Sequence, residues 1–181
     1  DGEELWSLTL PNQPSTSPVM DRKQVYYGTL DGSVFAFDLR TIGELHDEGK
    51  LPQYTQTAQT WRYKAAKEVT SKPMVSELLV HFASRDNSLY AVSALERKLK
   101  WQFETQKPIS APLGWADGLI FLASEDFNVF CIDQNTGSIR WQFIAGLPIR
   151  RQPRVIGDDV YIFPDRGGMH CVSKTSGRRK Y

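Results

Sequence analysis

Short runs of alternating hydrophobic and polar residues, separated by turns, recur along the whole chain. The residues alternate with a period of two in Trp141-Gln142-Phe143, and β-branched and aromatic residues fill Val160-Tyr161-Ile162-Phe163. Both patterns predict β-strands. Asp-Gly and Thr-Gly pairs lie between such runs, where tight hairpins need residues that tolerate positive φ. No segment shows a sustained apolar stripe at helical spacing with end caps, so we predict an all-β fold.

A repeat of about 40 residues organises these strands. Trp61, Trp101 and Trp141 are each 40 residues apart, and a further 40 residues lead to Tyr181. Trp6 precedes Trp61 by 55 residues, which is one period plus 15 extra residues. Each period contains four predicted strands, which is typical of a β-propeller blade. Because a lone blade cannot bury both of its faces, neighbouring blades are expected to stack face to face.

One segment resembles the tryptophan-docking motif of pyrroloquinoline-quinone-type (quinoprotein-like) propeller repeats. It runs from Cys131 to Trp141 and has Asp133, Thr136 and Gly137 at the spacing of the motif, with cysteine in place of its alanine. In this family the repeated tryptophan closes the outer strand of its blade and packs against the neighbouring blade. The resemblance therefore implies that these motif residues are structural.

Partial copies of the motif cover the other periods. The copy from Ala91 to Trp101 has Ser93 and Arg97 in place of the aspartate and the glycine, and the residues before Trp6 look like the tail of another copy. Those residues are Gly2-Glu3-Glu4-Leu5. The same structural role is predicted for all four tryptophans of the repeat, which are Trp6, Trp61, Trp101 and Trp141.

The chain, residues 1–181, is predicted to be a single propeller region of about four blades. Either the strand at Trp6 completes the last blade and closes a four-blade ring, or the four periods belong to a larger ring. Propellers with this motif commonly have seven or eight blades, so the resemblance favours a partial or half propeller. Its open blade faces would be apolar, and we expect self-association through them.

An insertion at about residues 41–59 interrupts the first period, and we predict a loop there. Insertions into such repeats lie on one face of the ring, which is often the binding face. His46, Asp47, Glu48 and Tyr54 are the candidate binding residues, because mixed charges and a tyrosine are suited to protein contacts. The alternative is a surface elaboration without a binding role.

Composition and charge exclude several classes of function. The 22 basic and 21 acidic residues give a net charge of +1, which argues against nucleic-acid binding driven by bulk charge. Two cysteines are too few for a disulfide scaffold. No apolar run approaches the roughly 20 residues that span a bilayer, so we predict no membrane span.

No residue of the chain is predicted to be catalytic, to bind a cofactor or to bind a metal. Asp31, Asp86, Asp126 and Asp165 recur at nearly the same phase, but each lies in a turn where bonding to the local backbone is expected. The three histidines show no metal-ligand spacing. The two cysteines share the repeat phase of alanines and are predicted to be buried free thiols.

These observations favour a non-catalytic scaffold that binds protein partners. By resemblance, the function is extracytoplasmic assembly or recognition in the bacterial periplasm, as for the bacterial outer-membrane assembly lipoprotein that has similar repeats. One alternative is a fragment of a quinone-dependent dehydrogenase, which would hold pyrroloquinoline quinone and calcium. A second alternative is a propeller that binds carbohydrate or peptide.

Overall fold

Four antiparallel β-sheets follow one another along the chain in the computed structural model. The structure describes residue 4, residues 6–76 and residues 78–181. The first three sheets have four strands and the last has three. The predicted all-β propeller blades are confirmed, and the four blades form an arc that does not close into a ring. Gly2, Glu3 and Leu5, which belong to the partial motif before Trp6, lie outside the described residues.

Each blade is a meander in which consecutive strands pair. Blade 1 comprises β1 (Val19–Met20), β2 (Gln24–Gly28), β3 (Ser33–Asp38) and β4 (Gln59–Lys64). Blade 2 comprises β5 (Met74–Ser76), β6 (Leu79–Ala83), β7 (Ser88–Ser93) and β8 (Leu99–Glu104). Blade 3 comprises β9 (Gly114–Ala116), β10 (Leu119–Ala123), β11 (Asn128–Asp133) and β12 (Ile139–Ile144). Blade 4 comprises β13 (Arg154–Ile156), β14 (Asp159–Ile162) and β15 (His170–Ser173).

The first strands of successive blades lie on the inner side of the arc. β1 contacts β5, and β9 contacts β13. After β15 the chain turns back, and Arg179 forms an antiparallel β-bridge with Val172 at the position where the other blades have their outer strand. The backbone N–H of Lys180 then donates to the carbonyl of Cys171 at 2.8 Å.

Successive side chains of a strand point to opposite faces of the sheet. The two faces of a blade therefore pack against the preceding blade and the following blade. On blade 1, Tyr26 and Val34 pack against Val80 and Phe82 of blade 2. The contacts between blades 2 and 3 and between blades 3 and 4 follow the same pattern. Their buried members are Ala83, Leu89, Ile120 and Leu122 between blades 2 and 3, and Phe121, Cys131, Val160 and Ile162 between blades 3 and 4. The core therefore lies between the blades.

The insertion between β3 and β4 contains a helix, whereas the sequence predicts a loop. Helix α1 (Leu39–Asp47) begins after Asp38, whose carboxylate accepts a hydrogen bond from the Thr41 backbone N–H at 2.8 Å. Ile42 and Leu45 are its buried residues, and a 3₁₀ helix spans Thr55–Ala58. Its three apolar residues, Leu39, Ile42 and Leu45, extend over only two helical turns, which is too short for a sustained apolar stripe, so the predicted loop was wrong here. No described helix is long and apolar enough to cross a membrane.

Helix α1 covers part of the face of blade 1 that points away from blade 2. Ile42 and Leu45 pack with Phe35 and Phe37 of β3, and Leu8 of the N-terminal segment joins the same cluster. At the inner end of this face Met20 stays 64% exposed. Self-association through the open faces stays a prediction.

Candidate docking face and binding grooves

A repeated tryptophan packs on the docking turn of the next blade. The ring of Trp101, on β8, lies so close to Gly137 of blade 3 that a Cβ on that glycine would be 2.7 Å from it. Gly137 also has a φ of 74°, which favours glycine. The indole Nε1 of Trp101 donates to the carbonyl of Gln134 at 3.2 Å. Trp101 thus joins blade 2 to blade 3 by both packing and a hydrogen bond.

The same arrangement joins blade 3 to blade 4. Trp141 lies against Gly177, where a Cβ would be 2.6 Å from the indole, and its Nε1 donates to the carbonyl of Lys174 at 2.8 Å. Its ring centroid is 5.8 Å from that of Phe121, and only 8% of the residue is exposed. Trp141 is therefore part of the core between the two blades.

Asp133 organises the docking turn that holds Gly137. Its Oδ1 accepts hydrogen bonds from the backbone N–H groups of Asn135 and Thr136 at 3.0 and 3.1 Å. Arg140 donates to its other oxygen at 2.8 Å, and these bonds hold the pKa of the Asp133 carboxyl below its usual value, with the arginine as the largest cause. The structure thus brings the three motif residues Asp133, Thr136 and Gly137 into one turn.

Trp6 and Trp61 lack this complete arrangement. Trp61 is buried, but its Nε1 has no hydrogen-bond partner in the described part of the chain. The glycine of the turn that follows in blade 2 is replaced by Arg97, which has a φ of 61°. Trp6 is 44% exposed and lies in no strand, and helix α1 occupies the region of blade 1 where a docking turn would be expected.

Replacing Arg97 by glycine is expected to raise the free energy of unfolding by about 0.5–1 kcal/mol. A left-handed backbone costs an L-residue about 1–2 kcal/mol, and the greater chain entropy of unfolded glycine offsets part of the gain. Urea denaturation measures the change. Lys98→Gly, in the same turn, is the control and should destabilise. A loss of stability in Arg97→Gly would contradict the strain inferred at this turn.

The carboxylates of Asp31, Asp86 and Asp126 accept hydrogen bonds from backbone groups as predicted, whereas that of Asp165 pairs with the side chain of Arg150. Asp86 accepts a hydrogen bond from the N–H of Ala66 at 2.9 Å, and Asp126 accepts one from Gln106 at 3.0 Å. Each bond ties a turn of one blade to the segment that connects the preceding blade to it. Among the described residues, no group of three or more His, Cys, Asp or Glu side chains could hold a metal ion.

The cysteines and two of the histidines lie within the packing of the blades. Cys131 and Cys171 are buried and free, and burial raises the pKa of Cys131 to about 12. That thiol therefore lacks the low pKa of a reactive cysteine. His81 is buried with its Nε2 2.8 Å from the carbonyl of Gln134, and burial lowers its pKa. The ring of His170 packs on that of Phe143 at 5.4 Å.

The predicted binding residues of the insertion are exposed. His46, Asp47 and Glu48 are consecutive at the end of α1, and Glu48 forms an ion pair with Lys50 at 2.7 Å. Tyr54 follows six residues after Glu48 and is 57% exposed. The structure thus places three of the four at one helix end and the fourth in the adjoining segment.

Two grooves lie at the end of the blades that carries the docking turns; we call this end the docking face. The first groove, about 380 Å³, runs between the turns of blades 1 and 2 and is lined by Asp21, Arg22, Asp38, Leu78 and Leu95 among others. The second, about 430 Å³, lies between blades 2 and 3. Leu78 and Leu95 line both grooves.

The profile of a family described as the outer membrane protein assembly factor BamB matches residues 42–113 and 101–181 of the sequence. The chain belongs to this family. Its membership confirms the quinoprotein-type repeat that the docking motif indicated. No curated protein matches the sequence.

Solved structures show where the BamB-family fold recurs. BamB from Moraxella catarrhalis has a TM-score of 0.75 at 18% identity, covering 94% of this chain and 53% of that one. The computationally designed Ika4 protein has a TM-score of 0.72 at 14% identity, covering 96% and 99%. A europium-containing methanol dehydrogenase has a TM-score of 0.53 at 22% identity, covering 60% and 23%. The chain thus spans about half the length of the BamB structure, and these likenesses show the fold alone.

The sequence pattern of this BamB-family chain does not single out the leucines of the docking face. Leu95 occupies the repeat position of Asn135, and Leu78 that of Gly118. Aligning the turns of the repeat, rather than the strands alone, would have shown both as apolar residues at polar or glycine positions. Turns are predicted from glycine and aspartate, so a leucine within a turn gives no signal.

Proposed function

We propose that this chain is a non-catalytic propeller scaffold that binds proteins in extracytoplasmic assembly. The observation that carries the proposal is the match of residues 42–181 to the family of an outer membrane protein assembly factor. Fold alone does not decide function, so features of this chain must support the same conclusion. The exposed insertion and the two grooves of the docking face support it, because both offer surfaces for a partner.

The proposal includes the compartment and the class of partner. A periplasmic location agrees with the family description, which names an outer membrane protein assembly factor. Protein partners, and no nucleic acid, agree with a net charge of +1. The insertion residues His46, Asp47, Glu48 and Tyr54 are proposed as one of the contact surfaces.

Photo-crosslinking in cells of the source organism tests this function. A crosslinking amino acid is introduced at Glu48 or at Tyr54, and we expect a discrete adduct with an extracytoplasmic protein. Ile144, which is 70% exposed on β12 of blade 3, is the control position and should give no such adduct. Equal adducts at all three positions, or none at the insertion, would contradict a role for the insertion in binding.

We also propose that the chain binds no quinone cofactor. Adding pyrroloquinoline quinone and calcium is expected to move Tm by less than about 1 °C, because a ligand that binds the folded state stabilises it by mass action. Differential scanning fluorimetry and the absorbance spectrum of the quinone are the two readouts. A saturable spectral change together with a rise in Tm would favour the dehydrogenase alternative instead.

A further inference from the structure

Blade 2 exposes two neighbouring leucines on the docking face. Leu78, in the turn between β5 and β6, is 59% exposed, and Leu95, in the turn between β7 and β8, is 73% exposed. A hydrogen bond from the backbone N–H of Ala94 to the carbonyl of Leu78, at 2.8 Å, holds the two turns together. The two leucines therefore form one apolar ridge, which we call the leucine ridge.

The fold does not require leucine at either position. The positions equivalent to Leu78 are polar or glycine in the other blades: Lys23, Gly118 and Asp158. The positions equivalent to Leu95 in blades 3 and 4 are polar: Asn135 and Thr175. Because those turns form without an apolar side chain, the leucine ridge is not explained by packing within the blade.

The leucine ridge separates the two grooves described above. On one side it faces Asp21, Arg22 and Lys23 of blade 1, and on the other it faces Trp101 and Thr136 across the second groove. A small apolar centre with a polar rim is the usual composition of a protein contact surface. Two grooves beside one ridge offer space for apolar side chains of a bound segment.

The charges of the rim that are free to act on a partner are positive. Arg22, Lys23, Arg97 and Lys98 are exposed, and none of them forms an ion pair with a described residue. Glu96, the acidic residue that lines the second groove, is held in an ion pair with Lys100 at 2.6 Å.

The two acidic residues that line the first groove are engaged within the chain. Asp21 accepts hydrogen bonds from the backbone N–H groups of Lys23 and Gln24, both at 2.7 Å, and from the hydroxyl of Tyr26 at 2.9 Å. Asp38 accepts hydrogen bonds from Thr41 at the start of α1. The surface therefore complements a negatively charged segment.

We propose that the leucine ridge and its two grooves dock an acidic segment of a partner protein that carries leucine or aromatic side chains. The apolar side chains of the segment would lie in the grooves, and its carboxylates would meet the four cations. The inference rests on the proposed function, since it names a surface and a partner chemistry for the scaffold.

The probe is a fluorescein-labelled 16-residue peptide in which leucines and phenylalanines alternate with pairs of glutamates. Fluorescence anisotropy with the 181-residue chain should show saturable binding, whereas peptides with lysine for glutamate, or serine for the apolar residues, should bind at least about tenfold more weakly. No saturable binding of the acidic peptide up to about 1 mM would overturn the proposal.

Two sets of variants locate the binding. The double variant Leu78→Lys with Leu95→Asn gives the ridge the residue types found at the equivalent turn positions of other blades, and it adds one positive charge. If the site were purely electrostatic, this variant would bind the acidic peptide more tightly. We expect instead a loss of about tenfold or more, and a similar loss in Lys23→Glu with Lys98→Glu. The control Ile144→Asn should stay within about twofold. Unchanged binding in the leucine double variant would overturn the proposal.

A basic and apolar patch can also bind a lipid surface. Co-sedimentation with vesicles of phosphatidylglycerol and phosphatidylcholine tests this alternative. We expect no co-sedimentation that depends on Leu78 and Leu95. Vesicle binding that is lost in the leucine double variant would overturn the proposal in favour of a lipid surface. If crosslinks from Glu48 and Tyr54 persist while the peptide results are negative, the scaffold function stands and only the leucine-ridge proposal fails.

Discussion

Replacing Trp141 by alanine is expected to lower the free energy of unfolding by about 3–5 kcal/mol. Only 8% of Trp141 is exposed. Its ring packs on Phe121, and its Nε1 donates a hydrogen bond to the carbonyl of Lys174 in the next blade. The substitution therefore leaves a cavity between blades 3 and 4 and an unsatisfied carbonyl. Urea denaturation followed by tryptophan fluorescence and circular dichroism measures the loss.

Trp115→Ala is the control for this change. Trp115 lies outside the 40-residue phase and is 52% exposed, although its Nε1 donates to the side chain of Gln134 at 2.8 Å. Its loss is expected to cost about 1 kcal/mol. Equal costs for the two substitutions would mean that the phase of the repeat does not mark the tryptophans that join blades.

Replacing Gly137 by alanine is expected to cost about 2–4 kcal/mol. Two causes act together: the residue has a φ of 74°, and the added Cβ would lie 2.7 Å from the indole of Trp101. The measurement is again urea denaturation, with Gly157→Ala as the control. Gly157 has a φ of 59° and no atom within 4 Å of a built Cβ, so it reports the backbone cost alone, about 1–2 kcal/mol.

A cost for Gly137→Ala no larger than that for Gly157→Ala would argue against close packing of Trp101 on the docking turn. The comparison also separates two reasons for a glycine in this motif. Gly137 and Gly157 both have a positive φ, but of these two only Gly137 is approached by a tryptophan ring.

The sequence predicted the blades well because their signals are local and repeated. Trp61, Trp101 and Trp141 occur at one phase, and the strands between them alternate with a period of two. Every copy of the repeat therefore reports the same structure, and an error in one copy is corrected by the others. The docking turn at Asp133 and Gly137 has the form that its motif implied.

Features that occur once in the chain were harder to predict. Helix α1 interrupts one blade only, and its two buried residues, Ile42 and Leu45, acquire their meaning from contact with Phe35 and Phe37. The leucine ridge likewise depends on a tertiary relation, since Leu78 and Leu95 are 17 residues apart and meet through a hydrogen bond between two turns. Local pattern carries no information on such contacts.

The tryptophan contacts between blades also fix turns of the docking face in place. The turns that receive Trp101 and Trp141 are held by packing and hydrogen bonds to the preceding blade. Among the described residues, the docking turn of blade 2, which carries Leu95, lacks such a tryptophan hydrogen bond and is held instead to the turn of Leu78 by the bond from the Ala94 N–H to the Leu78 carbonyl. A rigid surface loses less conformational entropy when a partner binds.

A double-mutant cycle between Trp101 and Gly137 measures whether the tryptophan joins its blade to the docking turn of the next blade. Free energies of unfolding are measured for Trp101→Ala, Gly137→Ala and the double variant, and the same cycle is run with Trp141 in place of Trp101. We predict a coupling of at least about 1 kcal/mol between Trp101 and Gly137, because removing the indole relieves the clash, and less than about 0.5 kcal/mol between Trp141 and Gly137. Equal couplings in the two cycles, or a larger coupling between Trp141 and Gly137, would contradict docking of Trp101 on the turn of blade 3.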